Sequence, residues 1–335
     1  LFKETLSFDD VLLSPRYSDI ISRSDIDLSL DIGTTRKMML PVFGAPMDTI
    51  MNSDMAAALY EAGARGIMHR YCSIEEQALA VRKVSSTVEV FGAIGVTGDY
   101  TERAVALVGA GAAGLCIDVA HGHHLSVVNA IKSIRQMFPN IHIMAGNVAT
   151  LEAFNCLAEA GATSIRVGVG GGSICSTRLQ TGHGVPTFQS VLDCAASDTN
   201  ALLIADGGIK NTGDMVKALA AGADAVMVGS MLSGTSETPG SIVTKAGEPP
   251  MKVYRGMASP EAQIEWRGRY SSNEGVSRTV RLKGPVHKVL FEMDKGIRSG
   301  LSYSGARNIS RLQASCIFIK QTSAGTKESS THIDS

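Results

Sequence analysis

Short apolar runs alternate with amphipathic helical patterns along most of this chain, and that alternation limits its fold more than any other feature. Candidate strands cover residues 40–45, 66–68, 88–94, 114–119, 142–145, 163–167, 202–205 and 225–228. Runs with helical periodicity lie between several of them, such as 151–160 and 213–221. Strands separated by helices pair in parallel through right-handed crossovers. Eight such units predict an α/β fold, a (β/α)8 TIM barrel, with a doubly wound sheet as the alternative. The 335 residues suffice for one barrel, and 35 glycines against 5% aromatics fit many βα turns better than a sandwich.

Barrel chemistry sits at the C-terminal ends of the strands. The polar and glycine-rich residues fall there. Met47-Asp48 follow the first run, His69-Arg70 the second, Asp118 and His121 the fourth, and Asn147 the fifth. Cys175 follows the sixth, Asp206-Gly207-Gly208 the seventh and Gly229-Ser230 the eighth. So many polar residues at one rim point to an enzyme. The last two groups suit an oxyanion, because loops after strands seven and eight commonly build a phosphate site.

The loop after the sixth run, Gly168-Val169-Gly170-Gly171-Gly172-Ser173-Ile174-Cys175-Ser176-Thr177-Arg178, is too glycine-rich for core packing. Such a backbone takes positive φ and approaches a ligand closely. Cys175, set among hydroxyls and an arginine, has the surroundings of a nucleophilic thiol, although a buried cysteine after a turn is the plainer alternative.

A formal charge of -1 argues against a nucleic-acid surface, and no apolar run reaches membrane-spanning length. The six cysteines are scattered without C-x-x-C pairs, so neither a zinc site nor a disulfide framework is expected. A reducing compartment and a cytoplasmic location follow as expectations, with no secretory signal at Leu1-Phe2-Lys3 and a start that reads as trimmed. Residues 249–284 read as an irregular flap, 287–297 as a short closing helix and 323–335 as a mobile polar tail. The expected organisation is one catalytic barrel over 1–322 that includes the flap. Part of that flap, 257–280, is expected to move when ligand is absent.

The chain resembles the family of IMP dehydrogenase and GMP reductase from Leu6-Ser7-Phe8-Asp9-Asp10-Val11-Leu12-Leu13 to about Gly325. Gly172-Ser173-Ile174-Cys175-Ser176-Thr177-Arg178 is similar to the family's catalytic loop. Residues 203–208, 218–232 and Tyr254-Arg255-Gly256-Met257 are similar to its nucleotide loops, and Gly296-Ile297-Arg298-Ser299-Gly300 with Tyr303-Ser304-Gly305-Ala306 to its C-terminal signature. The resemblance implies a barrel, usually a homotetramer, acting on a purine mononucleotide (GMP or IMP) with a nicotinamide cofactor. It implies that Cys175 attacks carbon 2 of the purine. Ser173, Gly208, Gly229, Ser230 and Tyr254 would hold the 5′-phosphate, Gly207 with them, and Asp206 the ribose. Met47, Gly256 and Met257 would line the base, and Arg70, Asp118, Asn147 and Arg178 would serve the cofactor. Carbonyls of Gly170, Gly172 and Cys175 would bind potassium. Gly171 departs from the family, which usually has proline there. The pair of CBS modules that the family often inserts near Ser85 is missing from this sequence.

Both family reactions use a covalent purine adduct on the cysteine. The dehydrogenase hydrolyses it with an Arg-Tyr pair on a long flap. The reductase expels ammonia with the help of a Thr and a flap Glu, here Thr177 and Glu274. Only three residues separate Tyr270 from Glu274, a spacing similar to the reductase's, whereas Arg269-Tyr270 and Tyr254-Arg255-Gly256-Met257 lean towards the dehydrogenase. The sequence therefore reads as an NADPH-dependent GMP reductase on a dehydrogenase-like scaffold, with IMP dehydrogenase as the alternative. A non-catalytic nucleotide sensor is a more distant one.

Overall fold

The computed structural model describes residues 2–244, 247–270 and 273–329. Eight parallel strands close into a barrel: Val42–Gly44, Arg65–Met68, Phe91–Ile94, Gly114–Asp118, His142–Val148, Ser164–Val167, Leu202–Asp206 and Ala225–Val228. The first pairs with the eighth, Val42 opposite Val226. All eight lie where the apolar runs predict them, so the doubly wound alternative is excluded.

Two apolar layers follow from the strand period of two. Phe43, Ile67, Phe91, Cys116, Met144, Ile204 and Met227 fill the barrel interior. A larger cluster joins the outer strand faces to the helices. The interior is packed tightly enough that a Cβ on Gly114 would lie 2.2 Å from the Phe91 ring. Side-chain caps fix where the helices begin. Asn52, Ser73, Thr150 and Asn211 each accept a first-turn amide, and Glu76 completes a capping box with Ser73.

The C-terminal part is more regular than its sequence predicts. The stretch read as an irregular flap is ordered: strand Met251–Arg255 pairs antiparallel with Ser277–Arg281, and helix Pro260–Arg267 lies between them. The strand was hidden because Lys252 occupies an inward position beside Tyr254, where its Nζ donates to the carbonyls of Ser236 and Thr238 at 3.0 and 2.6 Å. The closing helix runs over Val286–Tyr303, longer than the 287–297 that its sequence suggests. Gly296 and Gly300 are there for contact, since a Cβ on either would lie 2.5 Å from Thr212 or Val216 of the neighbouring helix. Ser323–Glu328 is helical, where a mobile tail was expected; residues 330–335 of that tail lie outside the described residues. Among the described residues no helix is long and apolar enough to cross a membrane.

Candidate active site

The strand ends surround a cavity of about 240 Å³ at the C-terminal mouth of the barrel. Cys175 sits on its wall, the single exposed cysteine of the six. Burial pushes the Cys72 and Cys116 thiols up to about 11 and Cys194 to about 12, which makes them unreactive.

Cys175 starts a hydrogen-bonded chain. Its Sγ donates to Thr177 Oγ1 at 3.2 Å, and Thr177 Oγ1 donates to Glu274 Oε2 at 2.7 Å. Backbone pairing brings these distant residues together. Ser176 N–H donates to the Glu274 carbonyl at 2.9 Å and Val276 N–H to the Ile174 carbonyl at 3.0 Å, with Cys175 opposite Gly275. Gly275 allows the close approach, because a Cβ there would lie 2.8 Å from Ser259 N. Ser271 and Ser272 of the spacing between Tyr270 and Glu274 lie outside the described residues.

The predicted nucleotide residues line the same cavity: Met47, Ser173, Asp206, Gly207, Gly208, Gly229, Ser230, Tyr254, Gly256 and Met257. The Tyr254 and Ser173 hydroxyls lie 3.4 Å apart, and burial pushes the Tyr254 phenol up. Gly229 lets Met47 and Tyr254 come close, since a Cβ there would lie 3.1 Å from Met47 Sδ and 3.3 Å from Tyr254 Oη and one of them would have to give way. Gly207 and Gly208, both lining the cavity, take φ of 93° and 78°, a conformation that other residues avoid.

Of the expected cofactor residues, only Asp118 lines this cavity. Asn147 is buried beside it, donating to the Gly168 carbonyl at 2.9 Å and to Asp206 Oδ2 at 2.8 Å. Arg70 donates to the Asp118 carbonyl at 3.1 Å, and its guanidinium lies against the Tyr71 and Trp266 rings. Arg178 turns to the other side of the glycine loop, where it donates to the carbonyls of Val169 and Val185.

Sequence reasoning missed three residues. Arg166 lies within an apolar strand, yet it lines the cavity. It binds Asp118 at 2.8 Å and Asp206 at 3.1 Å, with Cys116 Sγ at 3.2 Å. Burial opposes its charge, but Cys116, Asp118 and Asp206 outweigh burial and raise its pKa well above the ordinary arginine value. Gly146 makes room for it, since a Cβ there would lie 2.6 Å from Arg166 Cβ. Lys283 donates to the Ser230 and Met231 carbonyls at 3.0 and 3.1 Å and so shapes the loop after the eighth strand. Thr187 explains the departure at Gly171: a Cβ there would lie 2.5 Å from Thr187 Oγ1.

The sequence profile of the IMP dehydrogenase / GMP reductase domain matches residues 5–332. The chain belongs to the IMP dehydrogenase/GMP reductase family. It is 33% identical to an inosine-5′-monophosphate dehydrogenase of Nitrosopumilus maritimus, covering 99% of this chain and 98% of that protein. It is 31% identical to a GMP reductase of Leishmania major, covering 98% and 97%. A solved cysteine-to-alanine variant of Trypanosoma brucei GMP reductase, in complex with guanosine 5′-monophosphate, superposes with a TM-score of 0.95 at 29% identity, covering 99% of this chain and 98% of that one. Membership of this family makes the protein an NAD(P)-dependent oxidoreductase of purine nucleotides. The first two alignments span 470 and 477 positions against the 335 residues here, so each relative carries sequence with no counterpart in this chain.

Proposed function

We propose that this protein is a GMP reductase, converting GMP to IMP and ammonia with NADPH through a covalent adduct on Cys175. One observation carries the reading: the Cys175–Thr177–Glu274 chain reaches the cavity, and all three residues line it. Neither Arg269 nor Tyr270, the pair a dehydrogenase needs to activate water, is among the described residues lining it.

In this reading Ser173, Gly208, Gly229, Ser230 and Tyr254 hold the 5′-phosphate, with Gly207 shaping the turn. Asp206 binds the ribose, oriented by Arg166 and Asn147. Met47, Gly256 and Met257 bracket the base. Cys175 Sγ forms a bond to carbon 2, and the carbon–nitrogen bond to the 2-amino group breaks. The thiol proton passes through Thr177 to Glu274, and Thr177 relays a proton back from Glu274 to the leaving nitrogen, which departs as ammonia. When bound, NADPH supplies the hydride that takes the place of sulfur at carbon 2. The cofactor side fits a polar group: Asn147 Oδ1 and Arg70 Nε are buried without partners, leaving one acceptor and one donor beside Asp118. Potassium fits the glycine loop. Among the described residues the Gly170 and Cys175 carbonyls accept no hydrogen bond, and Gly172 O, which accepts one from Cys175 N–H at 3.1 Å, keeps a second lone pair.

IMP dehydrogenase is the second reading, favoured by the Arg269-Tyr270 pair in sequence. Absorbance at 340 nm separates the two. A fall with GMP and NADPH, yielding IMP and ammonia, supports the reductase. A rise with IMP, NAD and potassium, yielding XMP, supports the dehydrogenase. We also propose that the protein is a homotetramer, which light scattering tests, and that the CBS modules common in the family would join near Ser85.

A further inference from the structure

A second cavity lies behind the glycine loop. Ser173, Gly208 and Ser230 line it as well as the nucleotide cavity, so the two share the wall proposed to hold the 5′-phosphate. Helix Thr187–Cys194 points its N-terminus at this space. Pro186 is its N-cap and supplies no side-chain cap, and among the described residues the Thr187 and Phe188 amides have no acceptor. Thr187 is 4% exposed, and its Oγ1 is buried without a hydrogen-bond partner. The hydroxyl faces Gly171 and Gly208, which both line the cavity: Oγ1 lies 2.5 and 3.6 Å from where their Cβ atoms would stand. The methyl faces the other way, towards Gly168.

The charges around it favour an anion. Arg178 lines the cavity, and its guanidinium contacts only the Val169 and Val185 carbonyls, with no carboxylate among the described residues. Lys210 also lines it, bound by Asp9, whose carboxylate is the opposing charge. One positive charge is left over. Free helix amides, a fixed hydroxyl and an excess cation are the elements of a phosphoryl site.

We propose that this cavity is a second phosphoryl subsite with Thr187 Oγ1 as its buried donor. It takes either the β-phosphate of a nucleoside 5′-diphosphate whose α-phosphate sits in the nucleotide cradle, or a free phosphate beside a bound monophosphate. The subsite rests on the nucleotide reading given above. Gly171 is part of it, because any side chain at 171 would displace the hydroxyl.

The test is isothermal titration of the full chain with GMP, IMP, GDP and inorganic phosphate, the last with and without saturating GMP. The variants are Thr187→Val, which removes the hydroxyl, and Thr187→Ser, which keeps it. If the β-phosphate is the occupant, the ratio of GDP to GMP affinity falls roughly 10- to 100-fold in Thr187→Val, as for one hydrogen bond to a charged group, and returns in Thr187→Ser. If free phosphate is the occupant, it binds GMP-saturated wild type and not Thr187→Val. The proposal is overturned if Thr187→Val raises Tm but leaves the GDP-to-GMP ratio and phosphate binding as in wild type. That result would mark the hydroxyl as merely unpaired. Failure of both GMP and IMP to bind would remove the nucleotide reading instead. Inorganic phosphate alone, wild type against Thr187→Val, would then decide the subsite.

Discussion

Replacing Glu274 by Gln separates the proton from the geometry. Residue 274 is held by its main chain, through its carbonyl to Ser176 N–H at 2.9 Å and the neighbouring Val276–Ile174 bond at 3.0 Å. Glutamine has nearly the same shape. Its amide oxygen can accept from Thr177 Oγ1 as the carboxylate does at 2.7 Å. It cannot give up or receive a proton at neutral pH. The loss is therefore the general-acid contribution alone, ~10²–10⁴-fold. At about 1.36 kcal/mol per tenfold, this is roughly 3–5.5 kcal/mol of barrier. It should fall on kcat, since the side chain stands between Thr177 and the flap and not in the phosphate cradle. Rapid-quench single turnovers with GMP and NADPH would time ammonia release. Hydride transfer is read separately from the opposite direction, as the 340 nm rise when enzyme meets IMP and NADP. Ammonia release should slow by the full factor and hydride transfer little. Equal slowing of both steps, or a loss below tenfold, would refute the proton role.

Other outcomes follow from the packing and charge of the site. Gly171→Ala should destabilise by about 1–3 kcal/mol, because its Cβ would come 2.5 Å from a stiff, buried Thr187; urea midpoints of Gly171→Ala, Thr187→Ala and the double variant should return most of that cost. Arg166→Met strands two carboxylates and should cost about 3–5 kcal/mol, with partial recovery when Asp118→Asn is added; no recovery would mean that Arg166 acts by packing. Burial pushes His142 down to about 4 from its ordinary 6.5. Between these values the unfolded chain takes up a proton that the folded one refuses, so stability is full above pH 6.5 and falls as pH drops towards 4. The loss from pH 7 to 4.5 should be about 2–3 kcal/mol, and a His142→Asn protein should lack that slope in its urea midpoints.

The barrel was legible because its strands are short apolar runs that few other arrangements accommodate. Cys175 stood out through its glycine-rich neighbours, whereas Thr177 and Glu274 were named only through the family resemblance and its flap spacing; the structure brings the three into one hydrogen-bonded chain. Arg166 was not, because one arginine in a strand-like run gives no sign of whether it faces water or two carboxylates. Its partners become visible only in the barrel register, where Gly146 stands between Arg166 and Asp118 and Arg166 lies opposite Ile204, two residues before Asp206. Lys252 hid a whole strand in the same way, since a buried lysine reads as exposed until the carbonyls around it are known. The exchange at Gly171 was visible as a departure, but its cause lies sixteen residues downstream, where a hydroxyl fills the space of the missing side chain. Complementarity of that kind appears only when the backbone brings the two residues together.

The strip of backbone bonds joining the cysteine loop to the flap has a consequence for timing. The bonds that keep the flap down also carry Glu274 to Thr177. A flap that lifts to let ligands pass must break the Ser176–Glu274 and Val276–Ile174 bonds, and in the same movement it withdraws the acid from the thiol's neighbour. On the proposed reading, access and acid delivery are therefore mutually exclusive states of one latch. On the proposed mechanism, a substrate bound under a raised flap would lack its proton donor, so ammonia could leave only from the closed form.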